Sequence, residues 1–384
     1  MNVQAIDKLR DYTNEVLRLN NIEDNIIKQK LKVEWLRLGD GNNSYFHASL
    51  KARQRQDQLD RLEDDNGKIL THQNEIEIEI VNYYKNLVGT SNNNLANIDI
   101  EAKRKGPQLN VMQREILIAP ITEEEILKSL KGLKYNSAPG LDGYNAKLYK
   151  VTWDFIKHDT ICAIKDFFEK DKIYKAVNCT IVTLIPKHNS ATRMKNFRDI
   201  SCCIIVYKLI SRILTKRLGF VISSSVHSSQ AAFVPSKRIH DHKLMAYDLM
   251  KGYFTKNGAP KCMLQMDLQK AYDTVEWSFL EAILKEFSFP HQFIQWIMLT
   301  IKIVSYRFQI NDCLSQLLES KRGLIQGDPL YILLFVLLME YLHRFLQKFK
   351  EQPNFNFHSK FEKMAIMNLI FADDLLLFSR EIRN

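Results

Sequence analysis

Residues Phe371-Ala372-Asp373-Asp374, followed by Leu375-Leu376-Leu377-Phe378, set two adjacent carboxylates at a tight bend between two apolar, strand-like runs. Negative charges so close together require cations. A third carboxylate, Asp267, closes another apolar run, Cys262-Met263-Leu264-Gln265-Met266, and is followed by Lys270, Tyr272 and Asp273. Three carboxylates converging from two strand ends form a site for two divalent ions, the arrangement that stabilises the attacking and leaving oxygens in phosphoryl transfer. An oxygen-only ligand set suits Mg²⁺. An Asp-Asp pair alone is more often a solvated turn, so the neighbouring motifs decide between the two.

Those motifs occur in one order along the chain. They are Trp35-Leu36-Arg37-Leu38-Gly39-Asp40, Tyr45-Phe46-His47-Ala48, Ala138-Pro139-Gly140-Leu141-Asp142-Gly143, Leu184-Ile185-Pro186-Lys187 and Asn196-Phe197-Arg198-Asp199-Ile200-Ser201-Cys202-Cys203. Gln230-Ala231-Ala232-Phe233-Val234-Pro235 follows, then residues 267–275, Arg322-Gly323-Leu324-Ile325-Gln326-Gly327-Asp328-Pro329-Leu330, and the Phe371 bend. Together they resemble the reverse transcriptase domain of plant LINE-type (non-LTR) retrotransposons, the first two looking like the segment that joins endonuclease to polymerase.

The chain of 384 residues carries 54 Lys+Arg against 44 Asp+Glu, a formal net charge of +10, which favours a polyanionic partner without demonstrating one. With 46% hydrophobic residues it can bury a sizeable core, and its length allows two or three domains. The six cysteines have no CxxC spacing, which points away from a zinc site or a disulfide framework. The N-terminus lacks a basic segment followed by an apolar core, and the longest apolar run, 330–339, is too short to span a bilayer. The expectation is a soluble chain of nucleus or cytoplasm, not secreted and with no membrane partner.

Apolar residues between Val3 and Arg37 recur at helical spacing. Asn66-Gly67 marks a hairpin turn. The run Glu75-Ile76-Glu77-Ile78-Glu79-Ile80 alternates like a strand, but Ile76, Ile80, Tyr84 and Leu87 share a helical face, and we read it as helix. Residues 89–94 lack periodicity and read as linker, giving a helical and hairpin region over 1–88, a linker over 89–110 and a main block over 111–384. Thr122 with Glu125 predicts a capping box, and Ile121 with Ile126 a hydrophobic staple. Strands are predicted at 178–186 and 262–267, a hairpin at 304–310 with 316–319, and two strands over 364–378 joined at Asp373-Asp374. Helices are predicted at 204–221, 276–287 and 329–350. Strands and helices intermix without regular βαβ alternation, so the class is α+β; by resemblance it is the right-hand polymerase fold, fingers and palm.

The resemblance implies an RNA-directed DNA polymerase using Mg²⁺ (or Mn²⁺), an RNA template, a DNA primer and deoxynucleoside triphosphates, with Asp267, Asp373 and Asp374 holding the metals. It puts Tyr272 under the nucleotide sugar, where a ring would clash with a ribose 2′-hydroxyl; the other reading is a core tyrosine. Gln326 and Gly327 match the nucleotide and template contact, and Arg198, Lys237 and Lys270 fall where basic or nucleotide-facing residues are kept. Asp273 reads better as a turn residue, and Asp328 as a helix cap before Pro329, than as metal ligands. Lys208, Arg212 and Lys216 recur at four-residue spacing, as either a phosphate-tracking stripe or a solvated helix face. His240 and His242 read as a surface pair.

Several positions depart from the family pattern. Asp199 replaces a proline and sets an acid beside the expected triphosphate grip; Lys237 replaces an arginine, Ser236 a glycine, Ile325 a polar residue, and Tyr331-Ile332 a Ser-Pro pair. Asn384 follows soon after Asp374, so the expectation is a thumb-less domain with impaired polymerase activity. The alternative is a nucleic-acid-binding or inert remnant of such an element; a metal-dependent nuclease ranks third.

Overall fold

Strand alternation builds the largest of the three sheets among the described residues of the computed structural model, which describes residues 11–19, 22, 58–92, 106–227, 229–230, 232–235, 237, 239–250, 261–348 and 367–380. Strand β3 (Cys179–Pro186) buries Val182 and Leu184 and turns Ile185 outward, as period-2 geometry requires. It pairs antiparallel with β4 (Phe197–Cys202) and parallel with β6 (Ser305–Ile310). The hairpin expected after 304 forms, with β6 pairing β8 (Leu318–Glu319) and also β7 (Cys313–Leu314). A second sheet has the order β5-β10-β9, from β5 (Lys261–Asp267), β9 (Asn368–Phe371) and β10 (Asp374–Arg380), and β1 (Leu62–Glu63) with β2 (Ile69–Leu70) closes the hairpin around Asn66-Gly67.

Helix α1 (Gln73–Val88) settles the ambiguous run in favour of the helical period, because Ile76, Ile80, Tyr84 and Val88 form its buried stripe. That stripe joins the main core, while Leu369 of β9 and Phe378 of β10 form a separate small cluster. Then come α2 (Val111–Ile118), α3 (Glu123–Lys131), α4 (Ala146–Val151), α5 (Trp153–Lys170), α6 (Ile205–Ser225), α7 (Ile239–Met250), α8 (Trp277–Glu286), α9 (His291–Lys302) and α10 (Pro329–Gln347). The pattern did not assign α9, which buries Phe293, Ile294, Trp296 and Ile297. Thr122 caps α3 as expected by accepting from the Glu125 N–H, but Glu125 does not complete the box: its carboxylate pairs with Arg217 of α6 at 2.9 Å. The buried guanidinium is the stronger partner, being charged and also bonded to the Leu117 and Ala119 carbonyls. Motif residues 35–40 and 45–48, Ser236 and the side chain of His242 lie outside the described residues.

Helices α6 and α10 pack side by side at the centre. By length and composition α10 is apolar enough to cross a membrane, yet most of it is buried inside the protein. Tyr331 brings its bulk into this core with a partner in place: its hydroxyl meets that of Tyr207 at 2.5 Å and donates to the Thr300 carbonyl at 3.2 Å. Gly323, before the Gln326 loop, has φ +92°, and a Cβ there would meet the Asp273 carbonyl at 2.8 Å. Left-handed strain and a backbone clash add, so Gly323→Ala should cost about 2–3 kcal/mol. Urea unfolding of the two chains measures it.

Candidate active site

Strands β5 and β10 are antiparallel, and their register sets Asp267 directly opposite Asp374. Partners in such a ladder lie on one face with Cβ atoms roughly 4.5–5.5 Å apart, so two carboxylates distant in sequence become neighbours. Asp373 precedes them in the bend between β9 and β10, where Ala372 adopts φ +53°, and its carbonyl accepts from the Leu268 N–H at 3.4 Å. Asp267 and Asp374 are exposed and Asp373 is half-buried. Among the described residues none of the three carboxylates has an ion-pair partner, and no three acidic, His or Cys side chains close on one point. The donor chemistry fits a hard divalent ion: oxygen-only, negatively charged, and uncompensated by any described cation.

Tyr272 lies beside this cluster. Its ring stacks on Phe335 of α10 at 4.6 Å, and burial, with the Asp373 charge second, pushes its phenol up to about 12. It is thus both half-buried and site-facing, the two readings open in the sequence. Phe335 was not singled out, although it lies in α10's apolar run. The Leu324 N–H donates to the Tyr272 carbonyl, which ties the turn to the loop of Gln326 and Gly327. Both of those residues are exposed; Gly327 has φ +101° and open space where a Cβ would sit, so a ligand can approach its backbone. Asp328 caps α10 by accepting from the Leu330 N–H at 2.9 Å, and Ser211 donates to the same carboxylate.

Four of the basic residues read from sequence as ligand-facing have partners within the fold. Lys270 Nζ sits 3.6 Å from Asp273 and 3.8 Å from Asp199, so its ammonium faces those two carboxylates. Lys237 donates to the Val226 and His227 carbonyls, and burial lowers its pKa, so it tethers the end of α6. Lys216 donates to Ser129 of α3 with its pKa lowered by burial, and Lys208 donates to the Ala138 carbonyl, so the Lys216 end of the stripe is tied to α3. Arg212 and Lys208 instead line a cleft of about 420 Å³ with Lys134, Ser137, Gly327 and Asp328. There Arg212 Nε and Ser137 Oγ are buried without a hydrogen-bond partner among the described residues. Arg198 is exposed on β4, whereas its neighbour Asp199 is buried on the other face, so the acid does not lie beside Arg198 as expected. Strand alternation carried that signal.

Asp273 has an unusual environment. Burial, and then the Asp199 charge, push its carboxyl up to about 6, with Lys270 opposing. A raised folded pKa means that the native state holds the proton more tightly, so the contribution to stability is full below about pH 4 and is lost as pH rises through 6. Asp273→Asn should therefore gain on the wild type between those limits, by up to roughly 3 kcal/mol. Urea titrations at pH 4 and 7 give the difference.

Residues 185–384, just over half of the chain, match the family described as reverse transcriptase (RNA-dependent DNA polymerase). The chain belongs to the reverse transcriptase family. This reverse transcriptase domain is similar to the "Transposon TX1 uncharacterized 149 kDa protein" of Xenopus laevis, 26% identical over 349 residues, covering 89% of this chain and 26% of that protein. It is also similar to the "Retrovirus-related Pol polyprotein from type-2 retrotransposable element R2DM" of Drosophila melanogaster, 25% identical over 67% of this chain and 23% of that protein. The type-1 retrotransposable element R2 polyprotein of Nasonia vitripennis is 27% identical over 70% of this chain and 25% of its own length. The chain spans about a quarter of the length of the curated relatives it matches. Every residue singled out at the site from Arg198 to Asp374 falls inside the family match.

Proposed function

We propose that this chain is an RNA-directed DNA polymerase acting on an RNA template, a DNA primer and deoxynucleoside triphosphates. The observation that carries the reading is the register that pairs Asp267 with Asp374, beside Asp373, inside the reverse transcriptase match. Asp267, Asp373 and Asp374 would hold Mg²⁺ (or Mn²⁺), which supplies charge stabilisation at the attacking and leaving oxygens. The protein's own part is positioning. Tyr272 forms the floor for the sugar and excludes a 2′-hydroxyl, Gly327 lets the backbone approach the nucleotide, Gln326 lies exposed beside it, and Arg198 offers a guanidinium to the triphosphate. Arg212 and Lys208 in the adjoining cleft neutralise template phosphates.

The organisation that goes with this reading has fingers and palm over 111–384, a linker over 89–110 and a helical and hairpin region over 1–88 whose helix α1 docks on the main block. A plant LINE-type parent element, and action in the nucleus or cytoplasm, belong to the same proposal. The test is extension of a DNA primer annealed to RNA, with Mg²⁺ or Mn²⁺ and deoxynucleotides. Metal-dependent synthesis is expected; hybrid binding with no synthesis under either metal would overturn the polymerase reading.

A further inference from the structure

We propose that Asp199, Lys270 and Asp273 form a buried ionic clamp that positions strand β4, with Arg198, against the turn that carries Tyr272. The inference rests on the polymerase reading only for what the two ends do; the clamp itself stands on geometry. Lys270 comes from the turn after Asp267, in the left-handed conformation at φ +53°, and its ammonium lies 3.8 Å from Asp199 and 3.6 Å from Asp273. The three side chains are 20%, 9% and 11% exposed, so water screens them weakly. Because successive strand residues face opposite sides, fixing Asp199 beneath β4 fixes the direction in which Arg198 leaves its upper face.

A third element closes the cluster. The Lys270 ammonium stands 5.9 Å over the ring of Tyr83 on α1; Tyr83 meets Tyr84 edge-on at 5.4 Å, and Tyr84 packs on Phe308 of β6 at 4.5 Å. The groups facing the cluster are therefore Asp199 from β4, Lys270 and Asp273 from the turn, Tyr83 and Tyr84 from α1, and Tyr306 from β6. One ammonium serves two carboxylates, and it is the only described cation paired with either. The turn has a second anchor, since Thr274 donates to the Lys270 carbonyl, Gly323 to Val275 and Leu324 to Tyr272. A shift of Lys270 is transmitted to Tyr272 through a turn held at both ends. A lysine engaged in this way acts through Tyr272 and Arg198 and is a positioning residue.

Amide hydrogen exchange of the nucleotide-free chain tests the clamp without depending on activity. In Lys270→Met two buried carboxylates lose their cation, and exchange at Thr274 and Leu324 should rise about tenfold, while the β3–β6 ladder keeps its wild-type rates. Lys270→Arg, which retains the charge, should stay near wild type at the same amides. Unchanged exchange at Thr274 and Leu324 in Lys270→Met, or an equal rise throughout the β3–β6 ladder, would overturn the clamp. Primer extension by the unmodified chain judges the polymerase reading separately. Where extension is seen, Lys270→Met should raise KM for the deoxynucleotide more than it lowers kcat, and a loss confined to kcat would count against positioning.

Discussion

Replacing Asp374 by asparagine should abolish metal-dependent primer extension while leaving binding to an RNA/DNA hybrid in place. Asp374 is exposed, opposes Asp267 across the β5–β10 ladder, and has no ion-pair partner among the described residues, so the fold loses little when its charge is removed. The substitution keeps the shape of the side chain and takes away one anionic oxygen donor. Loss of a metal-holding charge in a site built on electrostatic stabilisation costs about 10³-fold or more in rate. On the proposed polymerase reading hybrid affinity would depend on different groups, the lysines and arginines behind the net charge of +10, and should fall steeply with salt in wild type and variant alike as counterions are released. Extension rate, salt-dependent binding and thermal unfolding are measured on the same preparations. A variant that extends primers as fast as wild type removes Asp374 from the chemistry, and one that loses binding and synthesis together would make the aspartate structural.

Arg344→Met should be strongly destabilising. The guanidinium and the Glu340 carboxylate are 2% and 1% exposed, and Nε donates to Glu340 at 2.8 Å. Nη2 donates to the Pro107 carbonyl at 2.8 Å and to Ser225 at 3.0 Å, and the group lies 4.0 Å over the Phe287 ring. One side chain thus ties α10 to the end of α6, to α8 and to the segment before α2. A Cβ on Gly106 would overlap the guanidinium, which explains the glycine there. Removing Arg344 leaves Glu340 buried with the His227 N–H as its remaining bonded donor, and burial already raises its pKa. Breaking a buried pair from one side costs about 3–5 kcal/mol, a large share of a domain's stability. The double variant Glu340→Gln/Arg344→Met should recover part of that, because it leaves no buried charge unpaired. Urea midpoints of the single and double variants decide it, and a loss below about 1 kcal/mol in the single variant would show the pair to be dispensable.

What the sequence determined by itself is local. The Phe371 bend between apolar runs, the Asn66-Gly67 hairpin, the Thr122 and Asp328 caps and the long apolar helix α10 all follow from turn chemistry and periodicity within a few residues. The motif order that carried the resemblance was legible for the same reason, since each motif is short and contiguous. The tertiary structure decided which residues meet. The pairing of Asp374 with Asp267 is a register between strands distant in sequence, and a slip of one position would have turned the acids to opposite faces. The partners of Lys270, Lys237, Lys216 and Glu125 were equally out of reach, because a long charged side chain takes whichever opposite charge or carbonyl packing brings within a few ångströms. Charge pattern along a helix or turn names the groups that can bind a phosphate; burial and long-range pairing settle which of them are still free to do so.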